Sequence, residues 1–255
     1  MPHHFVLTPF TLDQATPGLG ALAHPDWEVT DGTVSGDDQC SRIGSIHRRL
    51  FKLVSESVRR GERPVSVAGD CCAAIPVLAG LQGNGLHPVV VWLDAHGDFN
   101  TTATTITGFL GGMPLAMMSG RGDQTLMQTS GAHLLLDDDI ILADARDLDP
   151  MERALLKGSG IHHVQSMTEV LDAIPPHRPV YVHLDFDILQ PGDAPAMRYS
   201  VEGGPSLAEL VSLGRALHQT NRIAAVSATT WDLDADRDGR TGKACLSVLD
   251  AFLGR

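Results

Sequence analysis

The protein has 255 residues, of which 43% are hydrophobic and 20% charged, and its formal net charge is −12. This composition is ordinary for a soluble globular protein, and the length fits one large α/β domain over residues 1–255. The negative charge argues against nucleic acid or an anionic membrane as a partner, because both favour a basic surface.

The start of the chain and its cysteines indicate a compartment. The first ten residues lack the basic and apolar regions of a signal peptide, and no apolar run reaches the roughly 18 residues of a membrane span. Four cysteines in a chain of this length do not form a disulfide framework. We therefore expect a cytoplasmic protein with reduced thiols. The short segment after the last predicted helix favours a monomer or a small oligomer.

Six short runs rich in Val, Ile and Leu predict β-strands. They cover residues 5–7, 64–69, 88–94, 140–145, 179–185 and 223–230. The runs are nearly continuous in apolar residues, which is typical of parallel strands that are buried on both faces.

Amphipathic stretches between these runs predict helices. They cover residues 42–60, 72–82 and 206–218. In the last stretch, Pro205 and Ser206 suit the beginning of a helix, because Ser can accept hydrogen bonds from the free N–H groups. Alternating strands and helices predict an α/β fold with a doubly wound, mostly parallel sheet.

Residue types that bind metals follow three of the predicted strands. The segments are Gly69-Asp70-Cys71-Cys72, Asp94-Ala95-His96-Gly97-Asp98 and Asp185-Phe186-Asp187. Residues two apart at a strand end point to the same side, and ligand sites form at the carboxyl ends of parallel strands. Several carboxylates brought together there would repel one another without cations, and oxygen with some nitrogen ligation suits Mn²⁺.

Each motif also has a plain structural interpretation. An Asp-x-Asp pair at a strand end is commonly a turn or a helix cap. The segment from Asp94 to Asp98 is more specific, because three candidate ligands follow a buried strand. Two such motifs at the ends of separate strands favour a shared metal site.

The same segments resemble the signature motifs of the ureohydrolases, which include arginase, agmatinase and formiminoglutamase. Asp94-Ala95-His96-Gly97-Asp98 and Asp185-Phe186-Asp187 match two motifs, and Ala68-Gly69-Asp70-Cys71-Cys72 is an altered form of the family's Gly-Gly-Asp-His-Ser. The resemblance implies one arginase-like domain, a three-layer α/β/α sandwich with a mostly parallel sheet and two Mn²⁺ ions.

The resemblance also implies which residues bind the two ions. One ion would be held by Cys71, Asp94, Asp98 and Asp185, and the other by Asp94, His96, Asp185 and Asp187. Asp94 and Asp185 would bridge both ions. A hydroxide between the ions, oriented by the metal-held Asp98 and Asp187, would attack the guanidinium carbon, because two metals lower the pKa of a shared water.

Four further residues match the family's substrate contacts. Asn100 and Thr107 stand where arginases bind the α-carboxylate of an amino acid, and Asp149 and Glu152 stand where they recognise the α-amino group. The acidic stretch over 146–152 has an alternative interpretation as a turn and the first turn of a helix, where acidic residues are common. The implied partner is a small guanidino amino acid.

Three positions depart from the family pattern. Cys71 replaces a metal-binding His, Gly111 replaces a His that assists proton transfer, and Thr230 stands where a Glu binds the guanidinium. Cys71 is either a thiolate ligand or a small buried residue beside a weak or absent ion. The missing carboxylate and the extra room at Gly111 favour a less basic guanidine, and the chain resembles the branch that converts Nω-hydroxy-L-arginine to hydroxyurea and ornithine.

Other functions stay open at this point. Arginase activity, or release of urea from another guanidino acid, is the nearest alternative, and Asp232 or Asp234 could then replace the missing Glu. A non-catalytic relative that binds a metabolite or a protein would explain the departures, and a zinc deacetylase on a related scaffold is a third class. Metal content separates them. His183, two residues before Asp185, should face the same way and could support a ligand.

Overall fold

The computed structural model describes residues 1–30 and 34–255, and its strands form one large sheet and one small hairpin. The strands are β1 (His3–Thr8), β2 (Phe10–Thr11), β3 (Gln14–Ala15), β4 (Glu28–Val29), β5 (Arg63–Ala68), β6 (Val89–His96), β7 (Ile140–Asp147), β8 (His162–Val164), β9 (Val180–Asp185) and β10 (Ile223–Thr229). The eight-stranded sheet has the order β4-β1-β5-β10-β9-β6-β7-β8. Its pairings are parallel, whereas β2 and β3 form the antiparallel hairpin.

Helices connect the strands and cover both faces of the sheet. They are α1 (Pro17–Gly20), α2 (Gln39–Arg59), α3 (Ala74–Gln82), α4 (Pro114–Met118), α5 (Thr125–Ser130), α6 (Pro150–Lys157), α7 (Val170–Ala173), α8 (Leu207–Gln219) and α9 (Arg240–Leu253). Over the described residues, no helix combines the length and the hydrophobicity that crossing a bilayer requires.

Two hydrophobic cores lie on opposite faces of the sheet. On one face, Leu50 of α2 and Leu78 of α3 pack in a cluster that includes Trp92 of β6. On the other face, residues of α8 and α9 pack with Leu93 of β6 and Val182 of β9. Because neighbouring residues of a strand point to opposite faces, strand β6 contributes to both cores. The predicted three-layer α/β/α arrangement with a parallel sheet is confirmed.

The predicted elements match the structure except at short segments. All six predicted strands are present, but the short strands β2, β3, β4 and β8 were not predicted. Strands β4 and β8 lie at the edges of the large sheet and β2 and β3 form the hairpin, and each is too brief to show a hydrophobic pattern. The predicted helix over 72–82 begins instead with a 3-10 turn at Cys71–Ala73, and α8 begins after the Ser206 cap as predicted.

Candidate metal centre

Four adjacent strands in the middle of the sheet end beside one another. Their order is β5, β10, β9 and β6, so the segments that follow β5, β9 and β6 lie at the same edge. The register pairs Leu93 of β6 with Leu184 of β9, and Asp185 of β9 with Thr229 of β10. The carboxyl groups after Leu93 and Leu184 therefore belong to one cluster, as the motif spacing predicts.

The turn after β6 aims Asp98 back toward the strand ends. Asp98 has a left-handed φ of 47°, and its carbonyl accepts hydrogen bonds from the backbone N–H groups of Leu115 and Ala116. A side chain at Gly97 would place its Cβ 2.4 Å from Leu148 Cδ2 and 2.7 Å from Glu152 Oε1. A larger residue at position 97 would therefore displace the ends of the Leu148 and Glu152 side chains.

A cavity of about 490 Å³ opens above these strand ends. Its lining includes every residue that the family resemblance assigns to the metals or the substrate except Asp94, which is 1% exposed. The candidate residues in the lining are Cys71, His96, Asp98, Asn100, Thr107, Asp149, Glu152, Asp185 and Asp187. The structure therefore brings together residues that are more than one hundred positions apart in the chain.

The floor of the cavity contains two groups of potential metal ligands that share Asp94. One group is Asp94, His96 and Asp187, and the other is Cys71, Asp94 and His183. Within each group the ligand atoms lie within 4.8 Å of one another. His96 Nδ1 is 3.2 Å from Asp187 Oδ2 and 3.4 Å from Asp94 Oδ1. A carboxylate common to both groups is in the position of a bridging ligand.

Cys71 contacts the acidic cluster directly. Its Sγ donates a hydrogen bond to Asp185 Oδ2 at 2.9 Å and lies 3.3 Å from Thr229 Oγ1. Burial, followed by the negative charges of Asp185 and Asp98, raises the pKa of the Cys71 thiol well above its ordinary value. The thiol therefore stays protonated in the protein alone, and a bound cation would be needed to convert it to the thiolate.

The carboxyl groups hinder one another's ionisation. Burial, and then the charges of Asp94 and Asp185, raises the pKa of Asp98 well above its ordinary value. Burial, with the same two neighbours, does the same to the pKa of Asp187. For Asp94, burial acts to raise the pKa, but the hydrogen bond and charge of His96 outweigh it and the pKa is lowered.

These residues fit a centre for divalent cations. The buried Asp98 Oδ2 has no hydrogen-bond partner within the described chain, and buried polar atoms are rarely left in that state. The potential ligands in the two groups are carboxylate oxygens, the imidazoles of His96 and His183 and the thiol of Cys71, which suits hard or borderline ions. Four carboxyl groups packed this closely are stable as anions when cations neutralise them.

His183 lies deeper than the other candidate ligands and is fully buried. Its ring stacks on Trp92 with a centroid distance of 3.7 Å, and the Trp92 indole N–H donates to Asp94 Oδ2 at 3.1 Å. Burial lowers the pKa of His183 to about 3, so its imidazole is neutral. The strand period predicts that His183 faces the same way as Asp185. In the structure, His183 also lies close to Cys71 and Asp94.

The mouth of the cavity holds the residues expected to bind an amino acid. Asn100 Nδ2 donates to Asp149 Oδ2 at 3.1 Å, and Asn100 Oδ1 accepts from Thr104 Oγ1 at 2.9 Å. Thr107 is exposed, and its Oγ1 accepts from the Phe109 N–H at 3.2 Å. The mouth thus presents an amide, a hydroxyl and a carboxylate to the same space.

Glu152 has a structural task in addition to its place in the lining. Its Oε1 accepts from the Phe99 N–H at 2.9 Å, and its Oε2 accepts from the Asp149 N–H at 3.1 Å. Asp149 and Glu152 form a capping box at the beginning of helix α6, so the interpretation of this stretch as a helix start holds. Burial raises the pKa of Glu152 to about 7, although both N–H bonds oppose the shift.

The two other departures from the family pattern also line the cavity. Thr230 has a left-handed φ of 65°, and its hydroxyl donates to Asp185 Oδ2. The space beside Gly111 is not open as expected, because a Cβ there would lie 2.3 Å from Phe109 Cε1. The aromatic ring of Phe109 therefore occupies the room that the missing side chain leaves.

The two acidic residues after strand β10, Asp232 and Asp234, line a smaller pocket beside the cavity, together with Tyr199 and Thr230. Asp232 Oδ1 accepts from the N–H groups of Asp234 and Ala235, and its Oδ2 lies 3.6 Å from Arg198. Neither Asp232 nor Asp234 is among the described residues that line the 490 Å³ cavity. The cavity wall at Thr230 is neutral apart from the metal-site carboxylates.

Several lining residues were missed by the sequence analysis. They are Thr105, Phe109, Asp147 and Tyr199. The ring of Tyr199 is 5.7 Å from that of Phe109 and 6.5 Å from that of His96, and Asp147 Oδ2 is 3.9 Å from His96 Nε2. Asp147 lies within the acidic stretch and could have been suspected, but Tyr199 comes from an irregular loop without a sequence signal.

Comparison with known proteins agrees with this geometry. Residues 11–253 match the Arginase family. The chain is 29% identical to the arginase of Bacillus subtilis (strain 168) over 90% of this chain and 83% of that protein. It is 32% identical to the N(omega)-hydroxy-L-arginine amidinohydrolase of Streptomyces lavendulae over 78% of this chain and 71% of that protein. The crystal structure of the native arginase from Bacillus caldovelox matches in fold with a TM-score of 0.86 at 24% identity, covering 100% of this chain and 98% of the other.

Proposed function

Because the chain belongs to the arginase family, and is therefore a hydrolase of guanidino carbon–nitrogen bonds, we propose that it cleaves Nω-hydroxy-L-arginine to hydroxyurea and L-ornithine with two Mn²⁺ ions. The observation that carries this proposal is the composition of the cavity. An acidic floor faces a mouth that presents an amide, a hydroxyl and a carboxylate, and the wall between them lacks a carboxylate at Thr230 and an imidazole at Gly111.

The resemblance to the family suggests the metal ligands, and four of them, Cys71, Asp94, His96 and Asp187, belong to the two groups on the floor. Cys71, Asp94, Asp98 and Asp185 would hold one ion, and Asp94, His96, Asp185 and Asp187 would hold the other. When bound, two divalent ions supply a hydroxide nucleophile at neutral pH and stabilise negative charge that develops on the substrate. Asp98 and Asp187 would orient the nucleophile.

The mouth would orient the substrate. Asn100 and Thr107 would donate hydrogen bonds to the α-carboxylate, and Asp149 would accept from the α-ammonium group. Asp149 is already fixed by the Asn100 amide and by the Glu152 contact to its N–H. An amino acid held there extends its side chain into the cavity, so that the guanidine carbon reaches the acidic floor.

The cavity wall favours a hydroxylated guanidine over arginine. Arginine carries a delocalised positive charge that calls for a neutralising carboxylate, and Thr230 offers a hydroxyl instead. A hydroxyguanidine is less basic, and its added oxygen can form a hydrogen bond with such a neutral polar group. The aromatic rings of Phe109 and Tyr199 would pack against its planar face.

Arginine itself is the second candidate substrate. The similarity to the arginase of Bacillus subtilis covers more of this chain than the similarity to the hydroxyarginine hydrolase. The same metal ligands and the same amino-acid contacts would serve arginine, with urea as the product. The two candidate substrates differ in charge near Thr230: arginine brings a positively charged guanidinium to this wall, and the hydroxyguanidine is less basic.

A panel of guanidino compounds tests the proposal. The Mn²⁺-loaded protein is incubated with Nω-hydroxy-L-arginine, L-arginine and the decarboxylated analogue of arginine, and ornithine, urea and hydroxyurea are quantified. We expect the amino acids to react, and the decarboxylated compound to lose roughly one to two decades of kcat/KM with the lost charge-assisted contacts.

The Thr107→Val variant provides an internal control within the same panel. It should lower kcat/KM for the amino acids and leave the slow reaction of the decarboxylated compound unchanged, since that compound keeps its amino group but has no carboxylate for Thr107 to bind. Equal turnover of all compounds by the native protein would refute the assignment of the mouth residues.

A further inference from the structure

The two ring nitrogens of His183 have different surroundings. Its Nδ1 lies 2.8 Å from Ser227 Oγ, which in turn lies 2.7 Å from the Tyr181 hydroxyl. The Tyr181 hydroxyl also donates to the Ala74 carbonyl at 3.3 Å. With the Tyr181 proton on Ala74, Ser227 donates to Tyr181 and accepts from His183 Nδ1, so that Nε2 is left with the lone pair of the imidazole.

That lone pair is unused in the protein alone. His183 Nε2 is buried and has no hydrogen-bond partner among residues 1–30 and 34–255. A buried acceptor without a partner costs about 1–3 kcal/mol of stability, and native proteins seldom retain one without a reason. A neutral imidazole whose other nitrogen donates to a fixed oxygen is the arrangement of a metal-binding histidine.

The surroundings of the ring point to the same role. A ring nitrogen of His183, the Cys71 thiol and an Asp94 carboxylate oxygen lie within 4.8 Å of one another. Ions bind sulfur and nitrogen at about 2.0–2.3 Å, so a single ion spans ligand atoms at about this separation. Trp92 holds two members of the group in place, because its ring stacks on His183 and its N–H donates to Asp94.

We propose that His183 is a ligand of the divalent ion on the Cys71 side of the centre, which it binds through Nε2. This inference rests on the proposed two-metal function and adds a nitrogen donor to a set that otherwise consists of one thiol and carboxylates. If His183 did not bind, the ion on the Cys71 side would have a thiol ligand but no imidazole ligand. A thiolate and a neutral imidazole together suit a borderline ion better than carboxylates alone.

X-ray absorption of the Co²⁺-loaded native protein tests the inference without a substitution. If His96 binds one ion and His183 the other, the spectrum shows on average one imidazole per cobalt. If His183 only packs against Trp92, the average falls to one imidazole for every two cobalt ions, and the inference is overturned.

Calorimetric titration of metal-free variants with Mn²⁺ gives a second readout. His183→Phe keeps a ring against Trp92 but has no lone pair, and it should lose at least about tenfold in affinity at one of the two sites. His47→Phe is the matched control, because His47 is also buried and also has an unpaired ring nitrogen in the described structure, but it lies on helix α2. Unchanged affinity of folded His183→Phe would overturn the inference.

Product formation separates this inference from the proposed function. A native protein that forms ornithine from guanidino amino acids, but shows one imidazole for every two cobalt ions, keeps its function and loses the His183 assignment. A protein with one imidazole per cobalt that forms no ornithine keeps the assignment and loses the proposed substrate.

Discussion

Asp98 is the residue at which we expect a cost to the stability of the metal-free protein and a need for the same carboxylate in metal binding. Its Oδ2 is buried and unpaired in the described structure, and two neighbouring carboxylates raise its pKa. Asp98→Asn removes the charge with little change of shape. We expect the metal-free variant to be as stable as the native protein or more stable by on the order of 1 kcal/mol, since one pKa unit is worth about 1.4 kcal/mol. Its affinity for one Mn²⁺ should fall sharply.

Asp13→Asn is the control for the loss of a buried carboxylate. Asp13 pairs with Arg42 at 2.7 Å and lies outside the cavity. This substitution should lower the free energy of unfolding by about 1.5 kcal/mol or more and leave metal binding unchanged. Chemical denaturation and calorimetry measure both quantities. If Asp98→Asn destabilises the metal-free protein as much as Asp13→Asn does, the account of the acidic floor is wrong.

Thr230 is the residue at which substrate preference can be tested most simply. Thr230→Glu restores a carboxylate to the cavity wall, and the gain of one charge-assisted contact is worth roughly 1.5–3 kcal/mol. The ratio of kcat/KM for arginine over Nω-hydroxy-L-arginine should rise by about one to two decades. Thr230→Gln has a similar size without the charge and should leave the ratio near its native value. Equal shifts in both variants would show that charge is not the determinant.

At the scale of elements, helix α6 supports the loop that carries Asp98. Glu152 accepts from the N–H groups of Phe99 and Asp149, so it ties the turn after β6 to the beginning of α6. Glu152→Gln leaves one acceptor for two donors and should lower the free energy of unfolding by about 1–3 kcal/mol, with weaker metal binding. The loss in free energy of unfolding caused by Glu152→Gln should be larger below pH 7 than above it. The pKa of the buried native carboxyl is raised to about 7. Ionisation above that pH lowers the stability of the native protein, whereas the Gln variant has no such titration.

Helix α8 offers a matched control for this capping box. Ser206 and Glu209 form the same motif at its first turn, but Glu209 is exposed and lies away from the cavity. Glu209→Gln should change stability by at most about 1 kcal/mol and leave metal binding unaffected. Metal affinity that responds equally to both substitutions would contradict a specific link between α6 and the site.

The elements also explain what the sequence could predict of the site. Ligands at strand ends were predictable, because a parallel sheet brings the carboxyl ends of β5, β9 and β6 to one edge whatever the loops do. Tyr199 was not, since its loop is held by tertiary contacts: Arg146 donates to the carbonyls of Asp187, Val201 and Glu202. The position of Phe109 beside Gly111 likewise depends on packing that no local pattern encodes.

For the whole molecule, metal binding should couple stability to pH. Ions must displace the protons held by Asp98, Asp187 and Cys71, whose pKa values are raised, so affinity increases with pH. At a free Mn²⁺ concentration a thousandfold above Kd, binding should add about 4 kcal/mol, or roughly 10 °C in Tm. At a fixed lower concentration, we expect the Tm gain to be larger at pH 8 than at pH 6.

The quantity to compare at the two pH values is the difference in Tm between the metal-loaded and the metal-free protein. In the metal-free protein the raised carboxyl pKa values lower stability as pH rises above about 4, because the folded state holds protons that the unfolded state releases. The neutral His47 acts in the opposite direction between pH values of about 3 and 6.5, since its pKa is lowered to about 3 by burial. The same Tm gain at both pH values would contradict proton displacement.

The central claim, hydrolysis of a guanidino amino acid at this acidic floor, is tested most directly by one competition reaction. The metal-loaded protein is given equal concentrations of L-arginine and Nω-hydroxy-L-arginine, and ornithine, urea and hydroxyurea are measured by mass spectrometry as the reaction proceeds. The account predicts ornithine together with hydroxyurea in excess over urea. Urea in excess would contradict the proposed preference, and the absence of ornithine in fully metal-loaded protein would contradict the central claim.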